Sequence, residues 1–149
     1  MNKLILILAT TLFFSNAFAR HAYRSEICKS STHIFTYDGN YPVGGYYSIT
    51  QISDKNRDNR VVLVEKDAEE YSEEERKEMA NFEIKKTRKT WFDRSKDDGC
   101  FETNTYRNTK ILKFTNLKAE ELKAANLKND QEIKFSCVEE YIVPSGDDC

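Results

Sequence analysis

Asp54, Asn56, Asp58 and Glu65 stand at positions 1, 3, 5 and 12 of one segment, the spacing with which a calcium loop offers oxygen ligands and ends on a bidentate glutamate. The rest of the segment argues against that chemistry. Asn59 occupies the position where glycine makes the sharp turn, Lys55, Arg57 and Arg60 dilute the negative charge, and Val61-Val62-Leu63-Val64 reads as a strand where a helix is required. The segment is therefore expected to be a solvated hairpin tip with no metal, and calcium is kept as the weaker reading.

Other chemistry is thinly supplied. The histidines are His21 and His33, the first in a polar arm and the second at a strand start, so a positioned base for a serine or cysteine nucleophile is missing. Four cysteines, Cys28, Cys100, Cys137 and Cys149, contain no CxxC spacing, which speaks against zinc and for two disulfides. Cys28 with Cys100 and Cys137 with Cys149 is the expected pairing. Carboxylates abound, but with 25 acids in the chain a pair near one another is expected by chance. No phosphate-binding glycine loop occurs. The chain is expected not to be an enzyme and to carry no cofactor.

The compartment follows from the first residues. Lys3 precedes an apolar run, Leu4 to Ala9 continuing through Leu12-Phe13-Phe14, and small residues stand at Ala17 and Ala19. This is the pattern of a Sec-type signal peptide, residues 1–19, cleaved after Ala19. The run is shorter than the roughly 20 residues that span a bilayer, so no membrane association is expected after cleavage. The short start looks bacterial, and the destination is then periplasm or medium. What remains, residues 20–149, is one domain by length. Its charge leans acidic, 25 acids against 23 bases less Lys3, which disfavours a nucleic-acid partner.

The elements that must position any site are mostly strands. Residues 20–32 read as a polar arm pinned by Cys28. His33 to Tyr37 is a first strand, Tyr46 to Ile52 a second that starts after the bend at Gly44-Gly45, and Val61 to Val64 a third. A strand follows Asp97-Asp98-Gly99 and carries Tyr106, Ile111, Leu112 and Phe114. Ile133, Phe135 and Cys137 alternate with Lys134 and Ser136 on the last. Between Asn116 and Lys128 the spacing of Ala119, Leu122 and Ala125 predicts a short capping helix, about residues 117–127, with Asn116 as its cap. Residues 67–96 form a charged, partly helical insertion, with acids first and bases last. Ser72 and Glu75 form a capping box there, although Phe82, Ile84, Thr90 and Phe92 could equally alternate on a strand.

Leu117-Lys118-Ala119-Glu120-Glu121-Leu122, Asn129-Asp130 and Ile133-Lys134-Phe135-Ser136-Cys137 resemble the helix, turn and fourth strand of exported bacterial OB-fold domains related to anticodon-binding modules. The likeness is best over residues 110–143. Asn129-Asp130 departs from the family's Gly-Asp turn, and residues 145–149 are short for a closing strand. The resemblance implies a mainly β, α+β domain: a small five-stranded barrel with the capping helix and the insertion. OB barrels bind on the face of their second and third strands, which makes Tyr46, Tyr47 and Tyr106 candidates for a ligand surface. Trp91 and Phe92 are the candidate anchor of an interaction arm. The expected function is a secreted or periplasmic non-catalytic binding protein with a protein or glycan partner. The alternative is a periplasmic immunity or inhibitor protein that neutralises a toxin or enzyme. Oligomeric state is not encoded in any feature of the sequence.

Overall fold

The computed structural model describes residues 22–41, 47–88 and 90–146, without the side chains of residues 22, 40, 41 and 47. The expected signal peptide, residues 1–19, Tyr46 and Cys149 thus lie outside the described residues. Among the described residues eight strands and two short helices follow one another: β1 (Ala22–Lys29), β2 (His33–Tyr41), β3 (Tyr47–Asp54), β4 (Arg60–Glu65), α1 (Glu73–Lys77), β5 (Asn81–Thr87), β6 (Trp91–Asp97), β7 (Phe101–Thr115), α2 (Ala119–Ala125) and β8 (Gln131–Pro144).

The strands form one sheet in the order β5-β4-β3-β2-β1-β8-β7-β6, and a further pairing of β5 with β7 turns it back on itself. The long strand β7 makes this possible. Along one edge its first half pairs with β6 and its second half with β5, while β8 runs beside the whole of the other edge. The hydrogen-bonded ring is thinnest between β4 and β5, which are parallel and share only the pairs Val64 with Asn81 and Glu65 with Phe82.

The five expected strands are all present, and three more join them. β1 replaces the polar arm expected at residues 20–32 and lies inside the sheet between β2 and β8. Its pattern is inverted: Arg24, Glu26 and Cys28 share the inner face, and Ile27 is exposed, so a search for alternating apolar residues passes over it. The insertion expected at residues 67–96 is also mostly strand, as the alternation from Phe82 onward allowed. Only its predicted capping box survives as helix. The Ser72 hydroxyl accepts from the Glu75 N–H while the Glu75 carboxylate accepts from the Ser72 N–H, and α1 is over by Lys77.

Register sorts the inner face into rows, because directly paired residues project to the same side. Cys28, Phe35, Ile52 and Val61 follow one another across β1 to β4, with Cys137 and Asn108 continuing the row over β8 and β7. One step along lie Glu26, Tyr37, Thr50 and Leu63, with Glu139 and Tyr106. The next holds Arg24, Gly39 and Ser48, with Tyr141. One end of the interior is thus apolar and the other polar. A Cβ on Gly39 would collide with the Tyr37 hydroxyl, so the missing side chain is what admits that ring.

The apolar end is an aromatic cluster closed by α2. Phe35 meets Phe82 edge-on with ring centroids 5.1 Å apart, and Phe135 lies between Phe35 and Phe114 at 6.1 and 6.3 Å. Leu117, Ala125 and Leu127 are the residues α2 and its flanks bury, whereas Ala119, expected on the apolar stripe, is exposed. The cap differs too. Lys118 is the N-cap, its N–H bound by the Glu121 carboxylate. Asn116 instead adopts φ 60° and donates its amide to the carbonyls of Lys77 and Met79, tying the end of α1 to the end of β7. At the other end of α2 the Arg57 guanidinium donates to the Lys123 carbonyl at 2.6 Å, and His33 Nε2 lies 2.7 Å from the Ala125 carbonyl. Those contacts satisfy carbonyls that the helix itself leaves open.

The expected cysteine pairing is corrected. Cys28 is bonded to Cys137, its direct register partner across β1 and β8, with Cα atoms 4.0 Å apart. Cys100 is disulfide-bonded as well. The expected pairs assumed that Cys28 sat on a loose arm, whereas β1 fixes it against β8. Non-reducing peptide mapping is expected to return a Cys28–Cys137 crosslink. The Cys28→Ala/Cys137→Ala variant, which opens a loop of 109 residues, is expected to lose roughly 3–5 kcal/mol in urea unfolding relative to the oxidised chain.

Candidate functional site

Two carboxylates face each other in the polar rows. Glu26 on β1 and Glu139 on β8 are register partners, and both are buried. Like charges directly opposite in a sheet repel, and burial strengthens the repulsion. Each carboxylate is matched by its own cation. Lys110 on β7 donates to both oxygens of Glu26, at 2.6 and 2.7 Å, and the Asn108 amide approaches at 3.5 Å. Glu139 accepts from the Arg24 guanidinium and from the Tyr141 hydroxyl, the latter at 2.7 Å.

Arg24 is held from the sides as well. Its guanidinium lies 4.8 Å from the centroid of Tyr37 and 5.6 Å from that of Tyr141. Tyr141 meets Tyr106 edge-on at 5.7 Å, and Tyr106 meets Phe92 at 5.6 Å. A line of rings therefore runs from the inner face out to β6. The Oδ1 of Asn108 is buried without a partner among the described residues.

Two cavities adjoin this network. The larger, about 480 Å³, has an apolar wall that includes Phe35, Leu63, Phe82 and Ile84, and a polar one of Arg24, Glu26, Tyr37 and Lys110. The smaller, about 420 Å³, is lined by Thr90, Tyr106, Glu139 and Tyr141. The Arg24–Glu139 pair joins a wall of one to a wall of the other. Volumes of this size are those of small-ligand pockets.

The residues singled out from sequence are distributed unevenly. Tyr106 belongs to the network, on the wall of the smaller cavity. Tyr47 is in β3, but its side chain is not described, and Tyr46 lies outside the described residues. Trp91 and Phe92 are about half exposed, 49% and 55%, at the start of β6, an edge strand paired on one side only. Phe92 packs on Tyr106 and so links that exposed pair to the network.

The calcium spacing does not become a calcium loop. Ser53 pairs with Arg60 and Asp54 ends β3, so residues 55–59 are a hairpin turn, and Glu65 stands at the far end of β4, about 17 Å beyond Arg60 at strand rise. The Asp54 carboxylate is turned on its own loop, accepting from the Asn56 N–H at 2.8 Å. That hydrogen bond is the main reason its pKa lies below the ordinary value, with Asn126, Arg57 and His33 adding to the effect. Among the described residues, the one group of three potential ligands gathered within 4.8 Å is Glu26, Cys28 and Cys137, and two of these are spent in the disulfide.

Sequence reasoning missed Arg24, Glu26, Lys110 and Glu139. A signal was available for three of them: Arg24 and Glu26 share the parity of Cys28, and Glu139 that of Cys137, as charges do when they face inward with a buried cysteine. Lys110 was hidden by its place within an otherwise ordinary amphipathic strand.

Comparison with protein-family models gives no match, and comparison with curated proteins and with solved structures gives none either.

Lys110→Met would leave Glu26 charged, buried and opposite Glu139. It is expected to destabilise the fold by about 3–5 kcal/mol, and adding Glu26→Gln to recover most of that loss, in urea unfolding of the single and double variants. A second expectation concerns acid. Because the folded pKa of Asp54 lies below its ordinary value of 3.8, its stabilising contribution is complete above that value and is lost as pH falls through the folded one. The difference in unfolding midpoint between the wild-type chain and Asp54→Asn should therefore shrink below about pH 4.

Proposed function

We propose that the mature chain is an exported, non-catalytic binding protein that takes a small ligand in the larger cavity, against the Arg24, Glu26, Lys110 and Glu139 network. The observation that carries this reading is the cavity itself, with one apolar wall and one polar wall whose charged groups are already fixed in place. A preorganised wall of this kind binds without the cost of ordering its side chains. The same fixation argues against acid-base catalysis, since Glu26 and Glu139 are each held by a cation. His33 is committed through both ring nitrogens, Nδ1 to the Thr32 hydroxyl at 2.7 Å and Nε2 to Ala125. Export agrees with the oxidised state of Cys28, Cys100 and Cys137 and with the signal-like residues 1–19. The likeness to exported OB-fold domains belongs to the same reading, because strand, helix, turn and strand follow in that order over residues 101–144.

A periplasmic inhibitor or immunity protein is the second reading, favoured by the exposed Trp91 and Phe92 on the edge strand β6.

A thermal-shift screen of small molecules with the oxidised chain from residue 20 separates the two. Hits are expected to lose their effect in Ile84→Trp, which places a larger ring at the cavity wall, and to keep it in Trp91→Ala/Phe92→Ala. Hits insensitive to Ile84→Trp, together with a protein partner released by the Trp91/Phe92 variant, would give the lead to the inhibitor reading.

A further inference from the structure

The charges around the larger cavity do not cancel. Its lining contains two cations, Arg24 and Lys110, and three carboxylates, Glu26, Glu65 and Glu70. Lys110 is matched to Glu26, and Arg24 to Glu139 on the neighbouring wall. Glu65 and Glu70 remain. Both are exposed, and neither forms an ion pair among the described residues. Glu65 ends β4, and Glu70 stands in the crossover to α1 beside Tyr71, whose ring also lines the cavity.

Resting on the reading that this cavity is the ligand site, we propose that it selects a small organic cation with an apolar body, an arylalkylamine being the simplest case. The apolar body fits against Phe35, Leu63, Phe82 and Ile84. The ammonium faces Glu65 and Glu70, with the Tyr71 ring as a further acceptor of positive charge. An anion meets the opposite situation. The two cations that could receive it are already bound to carboxylates, and the lining adds two unmatched carboxylates that repel it. A neutral ligand keeps the apolar wall and the fixed polar one but gains nothing from Glu65 and Glu70.

The test uses three probes of nearly the same shape: 1-naphthylmethylamine, 1-naphthylmethanol and 1-naphthoic acid, titrated calorimetrically into the oxidised chain from residue 20 at pH 7. The amine is expected to bind tightest and the carboxylate weakest. Glu65→Gln/Glu70→Gln is expected to weaken the amine about tenfold, the order expected for loss of a partly exposed charge pair, and to leave the alcohol unchanged. Both residues are exposed, so this variant is expected to fold, which circular dichroism checks. Binding of all three probes with similar affinity, or an amine affinity unmoved by the double variant, overturns the charge selection while leaving the cavity as a ligand site if Ile84→Trp still abolishes the alcohol. No binding by any of the three overturns the cavity reading and this inference with it.

Discussion

Glu26 and Glu139 sit face to face across β1 and β8, and the interior can close only because each has a cation of its own. A buried ion is costly to desolvate, and two of like sign in register are costlier still. Lys110 from β7 answers one and Arg24 from β1 the other, so the arrangement needs β1, β8 and β7 together, in one register. The disulfide between Cys28 and Cys137 lies one row away on the same two strands. A slip of one residue between β1 and β8 would break the register of both features and send the carboxylate of the slipped strand to the opposite face. Burying polar groups weakens a fold in general, but here it fixes which residues of two neighbouring strands face each other.

The rest of the ring follows from where this charge is placed. The apolar rows on the other side of the disulfide are free to pack as a core, and the four phenylalanines Phe35, Phe82, Phe114 and Phe135 do so under α2. The helix needs little apolar surface of its own because Leu117 and Leu127, just outside it, supply the deepest contacts together with Ala125. Its carbonyl end is held from β2 and from the turn before β4, through His33 and Arg57. One end of the ring is therefore tied shut by hydrogen bonds as well as by packing. The polar end has no comparable plug among the described residues, and its cavities lie there.

Legibility in the sequence divides along the same line. The strands that carry apolar residues on the inner face, from Phe35 and Ile52 to Phe114 and Phe135, are visible as period-two patterns. The capping box at Ser72 is visible because it depends on two residues three apart. β1 is invisible for the reason that makes it central: it turns Arg24 and Glu26 inward, and composition alone reads such a segment as a solvated arm. The candidate site shares that fate, since its four charged residues come from three strands far apart in the chain and no local pattern joins them. Tyr106 was found because an aromatic on a strand was sought. Asp54 was singled out by its spacing to Glu65, and that spacing ignores that a strand carries the chain away while a loop would bring it back. The helix cap was misplaced because Asn116 has a nonlocal use, holding the end of α1, that no cap preference can register.

The outer strand β6 shows how the remaining edge is handled. It is paired only to β7 and exposed along its whole length, a geometry that invites another strand. Asp93, Arg94, Lys96 and Asp97 place charge along it, and the register shift between Phe92 and Arg94 bends it out of a flat pairing line. Antiparallel pairing of β6 with a second copy about a two-fold axis sets a residue opposite itself, and in the central register that residue is Arg94, so like charges meet. Those features protect the edge from self-association. They leave Trp91 and Phe92 at its start, where Phe92 leans on Tyr106 and so connects the exposed edge to the buried charges. Among the described residues a line of packed rings, Tyr141, Tyr106 and Phe92, therefore runs from the polar end of the ring to the uncharged start of that edge.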